Sequence, residues 1–357
     1  MKHDDPASII SRFSLDGTVI SCEPHAGGFI NRSFLVTDNT GSRYMLQMSS
    51  QAAFKDPKGL MENFCKITEY MEERVDDSRA CLHVLPAKDG KPWVKDTDGE
   101  YWRVLRYVED SICMQLPETA DDFYESGVAL GSFLTLLKDF PADALVETIP
   151  NFHHTPRRFW QFKDILSKDP CGRLSEVREE ADFLLSLEKE GAILQHMREN
   201  GTLPVRVTHN DAKIGNVLLD KDTHKALCVI DLDTVMPGLV AYDFGEAIRA
   251  GASTGEEDER DLSKVHFEMP LFEAFAKGFI PSCDMLTKKE IETLPLGVFL
   301  MTLENGVRML GDYIAGDVYY TCHYPKQTLY RALVQIKLVK EYQKHRDAMY
   351  EIVKRYM

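Results

Sequence analysis

The chain has no excess of basic residues, no paired-cysteine motif and no long apolar run. Each absence narrows its function. Lys and Arg number 42 against 57 Asp and Glu, a formal net charge of −15 over 357 residues. A general nucleic-acid binder carries the opposite electrostatic footprint. A nucleotide site is not excluded, because a few local cations and a metal neutralise one triphosphate, and the remaining charge serves solubility. The eight cysteines (Cys22, Cys65, Cys81, Cys113, Cys171, Cys228, Cys283 and Cys322) are scattered without a CxxC pair, which gives a zinc site no support. A chain this long needs no disulfide stapling, so reduced core thiols in a cytoplasmic protein are expected. The apolar run Leu296–Leu303 is far shorter than the ~20 residues a bilayer span requires. Met1 to Pro6 is polar and acidic, with no apolar signal core behind it. Internal repeats and low-complexity segments are absent. The expectation is a soluble cytoplasmic protein with neither nucleic acid nor membrane as partner.

What is present falls into two regions. Strand-like runs over 18–22, 33–37 and 43–48 are separated by the turns Ala26-Gly27-Gly28 and Asp38-Asn39-Thr40-Gly41. A helical pattern over 60–74 and strands over 93–95 and 101–108 complete a β-β-β-α-β-β order. Beyond Glu109 helical periodicity dominates, over 121–137, 157–166, 176–199, 271–279, 289–314 and 327–357. The pattern predicts an α+β chain with a small β-rich lobe (1–108) and a large, mainly helical lobe (109–357), leaving a cleft as the ligand site.

One stretch carries chemistry. His209-Asn210-Asp211-Ala212-Lys213-Ile214-Gly215-Asn216 leads into two short apolar runs joined by a turn, and the second run ends on Ile230-Asp231-Leu232-Asp233. Turn propensity explains Asp220 to Lys225 but not this ordered series of Asp and Asn residues. A register symmetric about the turn sets Asn216 opposite Asp231, with Cβ atoms about 5 Å apart. An amide oxygen and a carboxylate that close can share Mg²⁺, which takes oxygen ligands at about 2.1 Å and keeps waters. On extended backbone Asp233 faces the same side as Asp231 and reaches a second metal or a metal-bound water. Asp211, near this metal but not a ligand, is left to accept a hydrogen bond from an attacking hydroxyl and take its proton late in transfer. Lys213 is placed to bridge Asp211 and the transferring phosphate. His209 is expected to support the loop backbone. Asp243-Phe244-Gly245 spells a kinase metal motif, but it follows a Pro237-Gly238 loop and precedes a helical run, so Asp243 reads as a helix-start residue that braces the catalytic loop.

With its HxDxxxxN and IDxD motifs, the chain resembles the aminoglycoside phosphotransferase and choline kinase branch of the protein-kinase-like fold. That resemblance implies a bilobal kinase using ATP and Mg²⁺, with Asp211 as base and Asn216 and Asp231 as metal ligands. It also exposes a departure, since Gln47 stands where the family pattern has a third-strand lysine. A neutral amide brings no charge to the phosphates, which leaves a non-catalytic nucleotide-binding scaffold as an alternative. The remaining nucleotide contacts are expected from Gly27 and Gly28 as phosphate cradle and from Tyr107, Val108 and Glu109 as the adenine hinge.

Further blocks resemble the bacterial N-acetylhexosamine 1-kinases within that branch: Thr234-Val235-Met236-Pro237-Gly238, Gly251-Ala252-Ser253-Thr254, Asp261 to Phe267 and Gln335 to Val339. They imply phosphorylation of the anomeric hydroxyl of GlcNAc or GalNAc. Arg308 and Asp312, four apart on one helical face, are then expected to line the acceptor pocket. Tyr319 is expected on the sugar, with Phe29 and Asn31 closing it from the first lobe. Homoserine, choline or an aminoglycoside remain alternative acceptors. The expected partners are ATP and a small sugar, bound by a monomer or weak homodimer.

Overall fold

A computed structural model of the protein describes residues 5–25, 31–49 and 54–357. The chain divides into two units. One comprises Met1–Ile112, Asp139–Pro150 and Leu218–Pro237, and the other comprises Cys113–Lys138, Asn151–Val217 and Gly238–Met357. The β-rich unit therefore draws two segments from beyond residue 108.

In the first unit α1 (Pro6–Ile10) is followed by the antiparallel strands β1 (Val19–His25), β2 (Arg32–Asp38) and β3 (Arg43–Ser49). After α2 (Pro57–Glu72) come β4 (Val84–Leu85), β5 (Val94–Lys95) and β6 (Tyr101–Arg106), with β6 paired to β3 and both short strands paired to β6. Gly41 makes the β2–β3 turn possible at φ +89°, while the Asp38 carboxylate accepts the Thr40 and Ser42 N–H groups at 2.9 and 3.0 Å. Asp56 caps α2 by accepting from the Gly59 N–H at 2.9 Å, with Pro57 at the first helical position, so the helix begins ahead of its apolar pattern. Phe34, Val36, Tyr44, Leu46, Met48, Trp102 and Val104 point to one face and pack with Ile9, Ile10 and Phe13. The pleat sends the intervening residues to the other face. There Gln47 and Arg103 are direct partners in the β3–β6 ladder. The hairpin of Val217–Asp220 and Ala226–Val229 is closed by the Asp220 N–H bonded to the Lys225 carbonyl at 2.8 Å.

The second unit is helical. Its helices are α3 (Ala120–Leu136), α4 (Thr155–Lys168), α5 (Arg178–Ser186), α6 (Glu188–Gly191), α7 (Ile193–Glu199), α8 (Val240–Gly251), α9 (Met269–Ser282), α10 (Lys288–Ala315) and α11 (Gln327–Lys354). Capping boxes start α3 (Thr119 with Asp122) and α10 (Thr287 with Glu290). The single helix expected over 176–199 is three pieces, because the Ser186 hydroxyl turns back onto the Phe183 carbonyl at 2.6 Å and Gly191 follows. Where α8 crosses α10, a Cβ on Gly245 would lie 2.4 Å from the Gly297 carbonyl oxygen. Gly245 is thus a helix-packing residue, and Asp243-Phe244-Gly245 belongs to α8. Among the described residues no helix is long and apolar enough to cross a membrane. All eight cysteines are free thiols, and burial pushes Cys65 and Cys283 up to about 12.

Candidate active site

In the second unit the strand Arg206–Thr208 delivers the chain to Asn210, which turns it at φ +64°. Asn tolerates that conformation better than most residues. Two groups hold the turn. The Asp243 carboxylate accepts the His209 N–H at 2.8 Å and the Asn210 N–H at 2.6 Å. Burial pushes the Asp243 carboxyl above its usual range, against the pull of His209 and those two amides. His153 Nε2 lies 2.8 Å from the Asn210 carbonyl oxygen, and its Nδ1 lies 3.2 Å from Glu304 Oε1. The Thr155 hydroxyl donates to the other Glu304 oxygen at 2.8 Å. Burial works against both charges of this pair, yet their contact and the neighbouring charges hold Glu304 below and His153 above their ordinary values. The two nitrogens of an imidazolium suit the two acceptors. His209 is fully buried, accepts the Asp211 N–H at 3.3 Å on Nδ1 and packs edge-on against Phe133, which is a supporting role.

Asp211 emerges from this braced turn about a third exposed, with Lys213 Nζ 3.2 Å from its Oδ2. Asn216 Nδ2 donates to the Asp211 carbonyl at 2.7 Å and to Oδ2 at 3.1 Å. The amide nitrogen is thereby spent, and Oδ1 is the Asn216 atom left for a cation. Asn216 closes a 3₁₀ turn (Ile214–Asn216) and is not a ladder residue, which corrects the expected cross-strand pairing with Asp231.

The second motif, in the first unit, differs from expectation as well. Asp231 has left-handed backbone (φ 60°, ψ 53°) and heads the 3₁₀ turn Leu232–Thr234, so Asp233 does not share its side on an extended strand. Arg103 Nη1 lies 2.5 Å from Asp233 Oδ1, and Asn31 Nδ2 donates to Oδ2 at 2.5 Å. Both Asp233 oxygens are engaged. Its expected place in a metal shell is taken by this ion pair, and Asn31 serves Asp233 instead of an acceptor. Gln47 Oε1 accepts from Arg103 Nε at 3.1 Å and Nη2 at 2.9 Å, and the guanidinium stacks on Phe64 of α2 at 3.8 Å. At the expected hinge, Arg43 pairs with Glu109 and stacks on Tyr107, and the Ser111 hydroxyl donates to the Val108 carbonyl at 2.7 Å. Gly27, Gly28 and Phe29 lie outside the described residues.

Among the described residues no group of three or more His, Cys, Asp or Glu side chains is placed to hold a metal ion. Magnesium needs no such cage, because one or two protein oxygens with phosphates and waters suffice. Asn216 Oδ1 in the second unit and the Asp231 carboxylate in the first are each oxygen donors of the kind it takes.

On α10, the Arg308 guanidinium lies 5.9, 5.8 and 5.9 Å from the ring centres of Phe152, Tyr319 and Tyr320 and makes no hydrogen bond or ion pair with a described residue. Asp312 does not pair with it. The Asp312 carboxylate accepts the N–H groups of Val318, Tyr319 and Tyr320 at 3.0, 2.8 and 3.1 Å, fixing the tyrosine loop beside Arg308. Tyr319 is 71% exposed.

A model of the phosphotransferase enzyme family matches residues 21–274. The chain belongs to that family. Similar solved structures include an aminoglycoside phosphotransferase from Alicyclobacillus acidocaldarius, with 16% identity, a TM-score of 0.66, and 99% of this chain and 98% of that one covered. A microcompartment-associated aminopropanol kinase has 18% identity and a TM-score of 0.63, covering 96% and 97%. An ethanolamine kinase from Plasmodium vivax has 13% identity and a TM-score of 0.53, covering 90% and 81%. At such identities the likeness establishes the fold, the α+β protein-kinase-like architecture.

Three residues of this family member escaped the motif reading. Glu304 had a sequence signal, a carboxylate directly after the apolar run Leu296–Leu303. Arg103 had one too, a charge between Trp102 and Val104 in a strand buried on both faces. His153 had none.

Proposed function

We propose that the protein transfers the γ-phosphoryl group of ATP to the anomeric (C1) hydroxyl of an N-acetylhexosamine, giving the sugar 1-phosphate. The observation that carries the phosphotransfer half is the Asp211 carboxylate, projected from a turn braced by Asp243 and His153, with Lys213 and Asn216 on one of its oxygens. Its other oxygen orients the attacking hydroxyl and takes the proton late in transfer. Lys213 bridges from Asp211 towards the transferring phosphate. Asn216 Oδ1 and Asp231 are the magnesium ligands, and the bound ion neutralises charge on the phosphate oxygens. Residues 1–108 act as the nucleotide-binding lobe, with Gly27, Gly28, Gln47, Tyr107, Val108 and Glu109 as its contacts.

For the acceptor, the likeness to N-acetylhexosamine 1-kinases is joined by Arg308. This guanidinium makes no ion pair with a described residue, and it feels the opposing charge of Arg158 as well as the attracting charge of Glu304. Its donors suit the acetamido oxygen of a neutral sugar better than an ammonium group, and Tyr319 offers the sugar an apolar face. A second reading, an amino-alcohol kinase, draws on the acceptors named for the aminopropanol and ethanolamine kinases of similar fold. Incubation with Mg²⁺, ATP and a panel of hexosamines, ethanolamine, aminopropanol, choline, homoserine and aminoglycosides separates them. Phosphorus and proton NMR should place the phosphate on C1 of GlcNAc or GalNAc. A phosphorylated amino alcohol would move the assignment to the second reading, and no ADP with any acceptor would favour a nucleotide-binding scaffold.

A further inference from the structure

We propose that Arg103 is the positioning cation of the nucleotide half of the site, standing in for the missing third-strand lysine and fixing the loop that carries Asp231. The inference rests on the kinase reading above. Gln47 and Arg103 occupy one rung of the β3–β6 ladder. Rung partners have Cβ atoms about 5 Å apart, so a charge lost from one strand and gained on its neighbour stays in place to within a strand spacing. Two of its nitrogens bind the Gln47 oxygen, a third binds Asp233, and its face lies on Phe64. Arg103 and Asp233 are only 2% and 3% exposed. Such a buried pair is weak evidence of stabilisation, since apolar replacements often serve as well.

What the pair holds is the loop two residues from Asp231. Asn31 secures the second Asp233 oxygen, the Thr148 hydroxyl donates to the Asp233 carbonyl at 3.1 Å, and Asn63 Nδ2 reaches the Val235 carbonyl at 3.5 Å. Asp231 itself keeps a left-handed backbone, which Asp adopts more readily than most non-glycine residues. Arg103 thus ties β3, β6 and α2 to the segment that presents a metal ligand. Outer residues of this kind orient the ligand without touching the metal. The ligand class concerned is a nucleoside triphosphate with a divalent cation.

Calorimetric binding of AMP-PNP, with Mg²⁺ and without it, tests this on the wild type, Arg103→Met, Arg103→Lys and Gln47→Lys/Arg103→Met, each checked for folding by circular dichroism. Arg103→Met should weaken the Mg²⁺-loaded nucleotide by roughly 10-fold or more, the usual cost of losing an outer-shell partner. Metal-free binding should change far less, and Gln47→Lys should restore much of the loss by returning the cation across the rung. Equal weakening in both conditions, or none, would reduce Arg103 to a packing role and overturn the inference. If Arg103→Met does not fold, Arg103→Lys decides by the same criterion, because it keeps the charge and loses the fork. Should the wild type bind no nucleotide in either condition, the kinase reading fails and this inference falls with it. A failure confined to the variants leaves the kinase reading standing.

Discussion

Asp211 is the proposed base. Its backbone is held by the braced turn and one carboxylate oxygen is tied to Lys213 and Asn216, so substitution should act on turnover more than on folding. Asp211→Asn is expected to lower kcat by about 10²- to 10⁴-fold, the span of general-base contributions, with Mg²⁺-nucleotide affinity nearly unchanged by calorimetry; a loss of only a few-fold would remove Asp211 as base. Asp312 makes a different prediction. Its carboxylate anchors three loop amides, so Asp312→Asn should raise the acceptor KM and spare the nucleotide KM, and steady-state kinetics with each substrate varied in turn would show whether it does. At this scale the sequence was legible where spacing sets a contact: Asp211 and Asn216, five residues apart, are joined by hydrogen bonds, and the roles proposed for them are what the kinetics above decide. Asp233 was assigned to the metal because its arginine partner sits on a distant strand, a contact that no local pattern records.

At the level of elements, α10 joins two tasks. Glu304 points to His153 behind the Asn210 turn, and Arg308 and Asp312, each one turn further, face the aromatic loop. The His153–Glu304 pair gives α10 a pH signature. His153 titrates above its ordinary 6.5, so the stability it contributes is complete below that value and fades as pH rises through the higher folded value. Glu304 titrates below its ordinary 4.5, so its contribution is present above 4.5 and is lost as pH falls through the lower folded value. Between those limits the wild type should exceed Glu304→Gln in Tm by its widest margin, narrowing on the alkaline side; a margin constant from pH 6 to about 9 would mean that the imidazole is not charged in the fold. Periodicity disclosed the long helices, α10 included despite Pro295, because a buried face repeats along the chain. It could not disclose the 3₁₀ turns at Ile214–Asn216 and Leu232–Thr234 or the left-handed Asp231, where a single residue's backbone sets the geometry and tertiary contacts hold it.

Over the whole molecule, the family match ends at residue 274, short of α10 and the loop carrying Tyr319. The match therefore spans the positions of Asp211, Asn216 and Asp231 but not those of Arg308, Asp312 and Tyr319, and the acceptor must be decided by experiment. Charge is the other property of the whole. A net −15 repels an anionic nucleotide at long range, whereas the cations of the proposed site, Lys213 near the transferring phosphate and Arg103 behind the Asp231 loop, are paired with carboxylates and project little field. Attraction should begin only at short range, where the bound metal has already offset much of the nucleotide's charge. Salt screens interactions beyond a Debye length of about 10 Å at 0.1 M, so added salt weakens the repulsion first. Stopped-flow association of Mg²⁺-loaded fluorescent nucleotide should therefore be flat or faster between about 20 and 200 mM salt, opposite to an electrostatically steered encounter. A severalfold slowing over that range would show that a local positive field outweighs the net charge, and the phosphates would then be drawn in by lysines or arginines not paired as Lys213 and Arg103 are.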